Sequence, residues 1–129
     1  MEFSLGDTPT TGSVLSTNFF LQDKRNKKII VPTTTIEDIF NLNDIRQCKL
    51  LKVDCEGSEY AIFENMNLKI LEKIQYIFLE VHPVAGSSSE SLLKFLNDFF
   101  EIRYQKTKTS KRGLYDQLIE VFGKKKMGT

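Results

Sequence analysis

The chain has 129 residues, with 18 lysines and arginines against 17 aspartates and glutamates, so its formal net charge is +1. This length fits one domain, and 40% hydrophobic with 27% charged residues excludes a chain that is disordered throughout. Near-neutral charge argues against a nucleic-acid-binding protein, and no stretch reaches the ~20 apolar residues of a membrane span. Two cysteines cannot build a disulfide framework. We therefore expect one soluble domain with a cytoplasmic location.

The N-terminal part has weak patterning, and we expect an irregular segment over residues 1–28. Ile29–Val31 is a short β-branched run stopped by Pro32, which predicts the first strand of the domain. Thr35 and Asp38 have the spacing of a capping box, in which each residue's side chain bonds the other's backbone. This spacing predicts a helix that begins after Thr35.

Two near-continuous apolar runs, Leu50–Val53 and Ile77–Val81, predict strands buried on both sides. Between them, apolar residues at helical spacing predict one helix over residues 57–74. After the second strand, Ser87 and Glu90 form another capping-box pattern and predict a further helix.

The C-terminal part predicts two strands that pair with each other. Phe100–Tyr104 alternates apolar and polar residues, and Leu118–Phe122 is a closing apolar run. Strand–helix alternation before them predicts right-handed crossovers. We therefore expect an α/β domain with a mainly parallel sheet, an antiparallel C-terminal strand pair and helices on both faces. Its α/β core would cover residues 29–122, followed by a basic tail over residues 123–129.

Acidic residues follow the first buried strand, where Asp54, Glu56 and Glu59 lie close together in sequence. Ligands of open parallel sheets bind beyond the carboxyl ends of the strands, so Asp54 is a candidate site residue. Three neighbouring ionised carboxylates need compensation from water, a helix N-terminus or a cation. Glu59 also fits an ordinary first-turn acid, which the field of a helix stabilises.

Glu80 and His82 end the second buried strand, where residues two apart face the same way and so could enter one pocket. His82 is the only histidine, and it fits either a hydrogen-bonded structural residue or a proton carrier. A hydrolase that holds Mg²⁺ or Ca²⁺ through Asp54, Glu56 and Glu59 is a further interpretation, because hard cations prefer oxygen ligands. Three acids without other placed ligands do not make a metal site, so we expect no metal.

The segment Lys52–Glu59, which reads K-V-D-C-E-G-S-E, resembles the K-I-D-V-E-G-A-E signature of the FkbM family of S-adenosylmethionine-dependent methyltransferases. Pro32 with Thr35–Asp38 resembles the V-P-x-x-T-L-D-D segment upstream of that signature. Phe78–Pro83 resembles the L-E-V-H-P strand end downstream of it. The loop that follows an earlier strand in the family is similar to Leu5, Gly6 and Asp7.

The resemblance implies a Rossmann-like class I methyltransferase fold, present in part, with S-adenosylmethionine as cofactor. It implies methyl transfer, usually to a hydroxyl of a sugar or natural product, so a small-molecule or saccharide acceptor is the expected partner. It places Asp54 and Glu56 beside the sulfonium methyl and Glu80 and His82 on the adjacent strand end, with a carboxylate or His82 accepting the hydroxyl proton. The donor-binding candidates that it implies are Leu5, Gly6, Asp7 and Asp54.

One element of the family pattern, a glycine-rich D-x-G-x-x-x-G turn that holds the donor, has no counterpart in this sequence. We therefore expect the chain alone to bind the donor weakly or not at all. A second copy or a missing N-terminal half would complete the site, and residues 1–129 would form a single, incomplete domain. The alternative is a non-catalytic remnant or interaction module that binds no donor.

Overall fold

A computed structural model describes residues 2–5, 12–13, 28–30, 32–107 and 118–128. In chain order the elements are β1 (Glu2–Leu5), β2 (Gly12–Ser13), β3 (Lys28–Ile30), α1 (Ile36–Leu42), β4 (Cys48–Val53), α2 (Glu59–Glu64), α3 (Leu68–Glu72), β5 (Ile74–Val81), α4 (Ser89–Phe99), β6 (Phe100–Thr107) and β7 (Leu118–Lys125). None of these described helices has both the length and the apolar character that crossing a bilayer requires.

The main sheet contains four strands in the order β4-β5-β7-β6. β4 and β5 are parallel, whereas β7 pairs antiparallel with both β5 and β6. β4, β5 and β6 therefore run in one direction, and β7 returns between β5 and β6. The predicted antiparallel C-terminal pair is confirmed. The prediction of a mainly parallel sheet is wrong for the described strands, because β7 separates β6 from its parallel neighbour.

The described helices pack on one face of the main sheet. The connections from β4 to β5 and from β5 to β6 step in the same direction, and right-handed crossovers of this kind place their helices on the same side. Val53, Leu79 and Val121 point to this side from three adjacent strands. They share one buried cluster with the helix residues Phe40, Phe63, Ile70, Leu71, Leu92 and Leu96. The prediction of helices on both faces is therefore wrong for the described part.

The opposite face of the sheet carries apolar side chains that stay partly exposed. Leu50 is 54% exposed and Phe122 is 44% exposed. The rings of Tyr76 and Phe122 stack there with their centroids 6.0 Å apart. A shallow pocket is lined by Phe78, Arg103, Tyr104, Gln105, Glu120 and Phe122. No helix among the described residues covers this face.

The first strands of the chain form a second, smaller sheet. β1 lies at its centre and pairs antiparallel with β2 and β3. The run Ile29–Val31, which the sequence predicts in the main sheet, is strand β3 over Lys28–Ile30 and pairs with β1. The prediction of an irregular segment over residues 1–28 is wrong where β1 and β2 form, because these short strands satisfy one another's backbone groups.

Side-chain caps start the first and last helices. The Thr35 hydroxyl oxygen accepts a hydrogen bond from Asp38 N–H at 3.0 Å, and the Asp38 carboxylate accepts one from Thr35 N–H, so the predicted capping box is confirmed. In α4 the cap is Ser88, one residue after the predicted Ser87, and its hydroxyl accepts from Ser91 N–H. In both helices, the cap satisfies a backbone donor that would otherwise lack a partner.

The helix predicted over residues 57–74 is two short helices, α2 and α3. The break follows from two asparagines. Asn65 ends α2 and donates a side-chain hydrogen bond to the Ala61 carbonyl, while the Asn67 side chain accepts from Lys69 N–H and starts α3. Asparagine competes for backbone partners in this way and therefore favours helix ends.

The last strand runs further than the sequence predicts, because β7 continues past Phe122 to Lys125. Gly123 permits the extension. It pairs with Ile77 and Ile102 on the neighbouring strands, and a Cβ at this position would lie 2.6 Å from Ile77 Cγ1. The basic tail predicted over residues 123–129 therefore begins only after β7 ends.

Gly123→Ala should destabilise the protein, because the added methyl overlaps Ile77 Cγ1 and also lies 3.1 Å from Phe100 Cβ. Overpacking of this kind costs about 1–3 kcal/mol of unfolding free energy. Urea unfolding monitored by circular dichroism measures the loss. Gly128→Ala is the matched control, since no atom lies within 4 Å of its Cβ position. Equal stability of the two variants would contradict the packing described for β7.

Candidate active site

The carboxyl ends of the two parallel strands lie side by side. Val53 of β4 is the register partner of Leu79 of β5, so Asp54 and Glu80 follow at adjacent positions. Oxygens of these two carboxylates and a ring nitrogen of His82 all lie within 4.8 Å of one another. The structure thus brings together candidate residues from both strand ends, as expected for the ligand-binding edge of a parallel pair.

A tight turn connects β4 to α2, and its backbone enters the left-handed region at two consecutive residues. Glu56 has φ of 52° and Gly57 has φ of 103°. Glycine adopts such angles without steric cost, whereas a residue with a side chain adopts them at roughly 1–2 kcal/mol. The turn needs compensating contacts, and the first residue of α2 supplies them.

Glu59 is fully buried, at 0% exposure, and its carboxylate holds the turn in place. Glu59 Oε1 accepts hydrogen bonds from Cys55 N–H at 2.9 Å and from Gly57 N–H at 3.3 Å. The same oxygen lies 3.1 Å from His82 Nδ1. The sequence leaves Glu59 open between a member of the acidic cluster and a first-turn acid, and it does not predict the contact with His82. The feature of the sequence that could have predicted these contacts is the spacing, because an acid two residues after Gly57 is within reach of the backbone N–H groups of the turn.

His82 lies between two carboxylates and is 7% exposed. Its Nδ1 contacts Glu59, and its Nε2 lies 3.6 Å from Glu56 Oε2. The hydroxyl of Tyr60 donates to the His82 carbonyl at 2.9 Å, a contact that the sequence does not predict. His82 is therefore a hydrogen-bonded buried residue and also a member of the strand-end cluster, so the two interpretations of the lone histidine do not exclude each other.

The pKa values of this cluster shift in opposite directions. Burial acts to lower the pKa of His82, but its hydrogen bond to Glu59 and the charges of Glu59, Glu56 and Asp54 raise it above the ordinary 6.5. Burial acts to raise the pKa of Glu59, yet hydrogen bonds from His82 and the turn hold it below 4.5. For Glu56, burial is the main cause that raises the pKa above 4.5. The arrangement favours an ionised Glu59 beside a protonated His82.

Asp54 is more open than Glu59, and Lys52 Nζ lies 3.1 Å from its Oδ2. Among the described residues, Asp54, Glu80 and His82 form the group whose atoms could surround a metal ion. Glu59, a ligand in the metal site considered from the sequence, is not a member of this group, and its Oε1 is directed at the turn and at His82. Lys52 already supplies a positive charge to the open side of the cluster.

Of the four donor-binding candidates, Asp54 belongs to the strand-end cluster. Leu5 ends strand β1, and Gly6 and Asp7 lie outside the described residues. Next to His82, however, a pocket opens toward the start of α4 and is lined by Tyr60, Pro83, Val84, Ala85, Ser87 and Ser89. Its walls offer hydroxyl groups, which can exchange hydrogen bonds with a polar ligand.

The contact between Glu59 and His82 makes stability depend on pH. A lowered pKa for Glu59 contributes stability above 4.5 that is lost as the pH falls through its folded value. A raised pKa for His82 contributes stability below 6.5 that is lost as the pH rises through its folded value. Both contributions are fully present between pH 4.5 and pH 6.5. In this range His82→Gln should lower the free energy of unfolding most, by about 1.5–3 kcal/mol, the usual contribution of a hydrogen bond to a charged group.

Urea unfolding of the wild type and His82→Gln across a pH series measures this difference in unfolding free energy. The difference should shrink once the pH exceeds the folded pKa of His82. Glu90→Gln, which removes an exposed carboxylate from α4, is the control and should leave the pH profile unchanged. A cost of His82→Gln that is constant or grows with pH would contradict the ion pair.

The comparison with models of known families finds a methyltransferase domain. The model of the methyltransferase FkbM domain matches residues 3–107, which is more than half of the chain. No curated protein and no solved structure gives a significant match. The matched range contains Lys52–Glu59 and Phe78–Pro83, the two segments that build the strand-end cluster, so the resemblance in the sequence is confirmed. The chain therefore belongs to the FkbM methyltransferase family.

Proposed function

We propose that this chain takes part in S-adenosylmethionine-dependent methylation of a hydroxyl group on a small molecule or saccharide. Membership of the FkbM family indicates methyltransferase activity. The observation that carries the finer proposal is the cluster at the ends of β4 and β5, where the candidate catalytic residues Asp54, Glu56, Glu80 and His82 meet. The non-catalytic module is the alternative outcome of the tests below.

The carboxylates of the cluster suit a cationic cofactor. When bound, S-adenosylmethionine supplies an activated methyl group on a positively charged sulfonium. Asp54 and Glu80 place two carboxylates together on the open side of the cluster against the single ammonium of Lys52, and the remaining negative charge attracts a cation. This attraction acts on the charged donor in the ground state, so it favours binding more than it lowers the barrier.

His82 is the proposed proton acceptor. In the transfer, the methyl carbon would bond to the acceptor's hydroxyl oxygen as its bond to the sulfonium sulfur breaks, S-adenosylhomocysteine would leave, and the hydroxyl proton would move to Nε2 of neutral His82. Glu59, 3.1 Å from Nδ1, stabilises the imidazolium that results. The contact with Glu59 raises the pKa of His82 above 6.5, and only the neutral ring can accept a proton, so His82 acts as the base from its deprotonated form, which increases as the pH rises through its folded pKa.

The pocket beside His82 is the proposed acceptor site. Tyr60 joins it to the cluster, since this residue lines the pocket while its hydroxyl holds the His82 carbonyl at 2.9 Å. Ser87 and Ser89 line the same pocket from the start of α4. Hydroxyl-bearing acceptors such as saccharides suit these walls, and positioning the acceptor would supply much of the rate gain.

We further propose that another copy of this chain, or a donor-binding N-terminal half, whether joined to it or separate, completes the donor site. The sequence offers no glycine-rich donor turn, and the described helices leave one face of the main sheet open. A domain boundary at residues 1–129 and a cytoplasmic location stay predictions.

Donor binding can be measured with the chain alone by calorimetry, using S-adenosylmethionine and its demethylated product S-adenosylhomocysteine. We expect weak binding of both. Asp54→Asn should weaken binding of the charged donor by roughly fivefold more than binding of the neutral product, equivalent to about 1 kcal/mol for a solvent-screened charge pair. Asp98→Asn, an equal change in the last turn of α4, is the control.

Tight binding of the donor by the chain alone would contradict the expected need for another copy or a donor-binding half. If Asp54→Asn weakens binding of the donor and of the product equally, Asp54 does not interact with the sulfonium charge. Complete absence of donor binding, also at high ligand concentration and in mixtures with a donor-binding half, would favour the non-catalytic module.

Methyl transfer itself tests the role of His82. Mass spectrometry after incubation with donor and a panel of hydroxylated acceptors detects methylated product. His82→Gln should lower the turnover rate about 10²–10⁴-fold, the usual contribution of a general base. Asp98→Asn should retain the wild-type rate. Unchanged turnover in His82→Gln would exclude it as the proton acceptor and leave the methyltransferase assignment to be judged by the wild type.

A further inference from the structure

We infer that Glu59 is a positioning residue, whose buried carboxylate holds His82 with the proton on Nδ1 and leaves Nε2 as the ring's proton acceptor. The inference rests on the proposed function, in which Nε2 takes the hydroxyl proton. It assigns a role to a residue that the sequence leaves open between a member of the acidic cluster and a first-turn acid.

The hydrogen bonds around Glu59 determine which groups donate. Backbone N–H groups can only donate, and those of Cys55 and Gly57 both point to Glu59 Oε1. In the described part of the chain, Glu59 Oε2 is buried and makes no hydrogen bond, so a proton on it would have no acceptor. The carboxyl group is therefore ionised and can only accept.

The tautomer of His82 follows from this charge. Nδ1 lies 3.1 Å from the Glu59 oxygen, and two acceptors cannot form a hydrogen bond, so Nδ1 carries a proton. In the neutral ring the lone pair is then on Nε2. This nitrogen faces Glu56 from the turn, at 3.6 Å, and lies by the two strand-end carboxylates, Asp54 and Glu80.

The first two residues of α2 hold His82 at two separate points. Glu59 binds the ring, while the hydroxyl of the next residue, Tyr60, donates to the main-chain carbonyl of His82 at 2.9 Å. The ring therefore cannot rotate away from the cluster without breaking a buried charged hydrogen bond. This geometry parallels a general rule, since a carboxylate behind a histidine commonly sets its tautomer and orientation.

A single histidine makes the test direct, because the imidazole nitrogen signals of the chain have only one source. We propose ¹⁵N NMR of the wild type, Glu59→Gln and Glu56→Gln over a pH series. The wild type should show the Nδ1–H tautomer once the ring is neutral. Glu59→Gln should lower the pKa of His82 further than Glu56→Gln does, since Glu59 makes the closer contact. Both substitutions remove one carboxylate charge, so they form a matched pair.

An Nε2–H tautomer or a tautomer mixture in the wild type would overturn the inference, and this measurement needs no variant to fold. A larger effect of Glu56→Gln, or an unchanged His82 in folded Glu59→Gln, would also overturn it. The spectra are independent of donor and acceptor. A confirmed tautomer without methyl transfer, also in mixtures with a donor-binding half, would therefore reject the proposed function and keep the contact between Glu59 and His82. Methyl transfer with the other tautomer would reject the positioning role alone.

Discussion

A single buried carboxylate connects the elements that form the candidate site. Glu59 has no solvent exposure, and its Oε1 accepts from two backbone donors of the β4–α2 turn and contacts His82 after β5. Removing a charge from water costs several kcal/mol, so such a residue persists only where hydrogen bonds and an opposite charge compensate it. The turn also needs it, because Glu56 and Gly57 both have left-handed backbone angles.

The sequence predicts the locally encoded features well. The capping box at Thr35, the strands β4 and β5 and the alternating pattern of β6 all act within a few residues, and each is found. The prediction that β4 and β5 are buried on both sides is wrong, because no described helix covers their second face and Leu50 there is 54% exposed. The features that it misses depend on contacts between distant segments. β3 pairs with β1 rather than with the main sheet, and the order β4-β5-β7-β6 places the described helices on one face. No periodicity in a single segment reports strand order.

The same division holds within the site. Strand-end position was enough to predict that Asp54, Glu80 and His82 would lie near one another, since adjacent parallel strands end at the same edge. From the sequence, Glu59 is either one more acid of that cluster or a first-turn residue. Its direction, inward to the turn and not outward with Asp54, depends on a tertiary contact with His82. The segment K-V-D-C-E-G-S-E, which resembles the family signature, thus combines an open acid, a left-handed turn and a buried acid.

Amide hydrogen exchange at Cys55 and Gly57 tests the central role of Glu59 most directly. Both residues belong to a turn between secondary-structure elements, where unbonded amides exchange rapidly. If the Glu59 carboxylate holds the turn, both amides should be strongly protected in the wild type and lose protection in Glu59→Ala, while amides at the centre of β5 stay protected. Rapid exchange of Cys55 and Gly57 in the folded wild type would contradict the account.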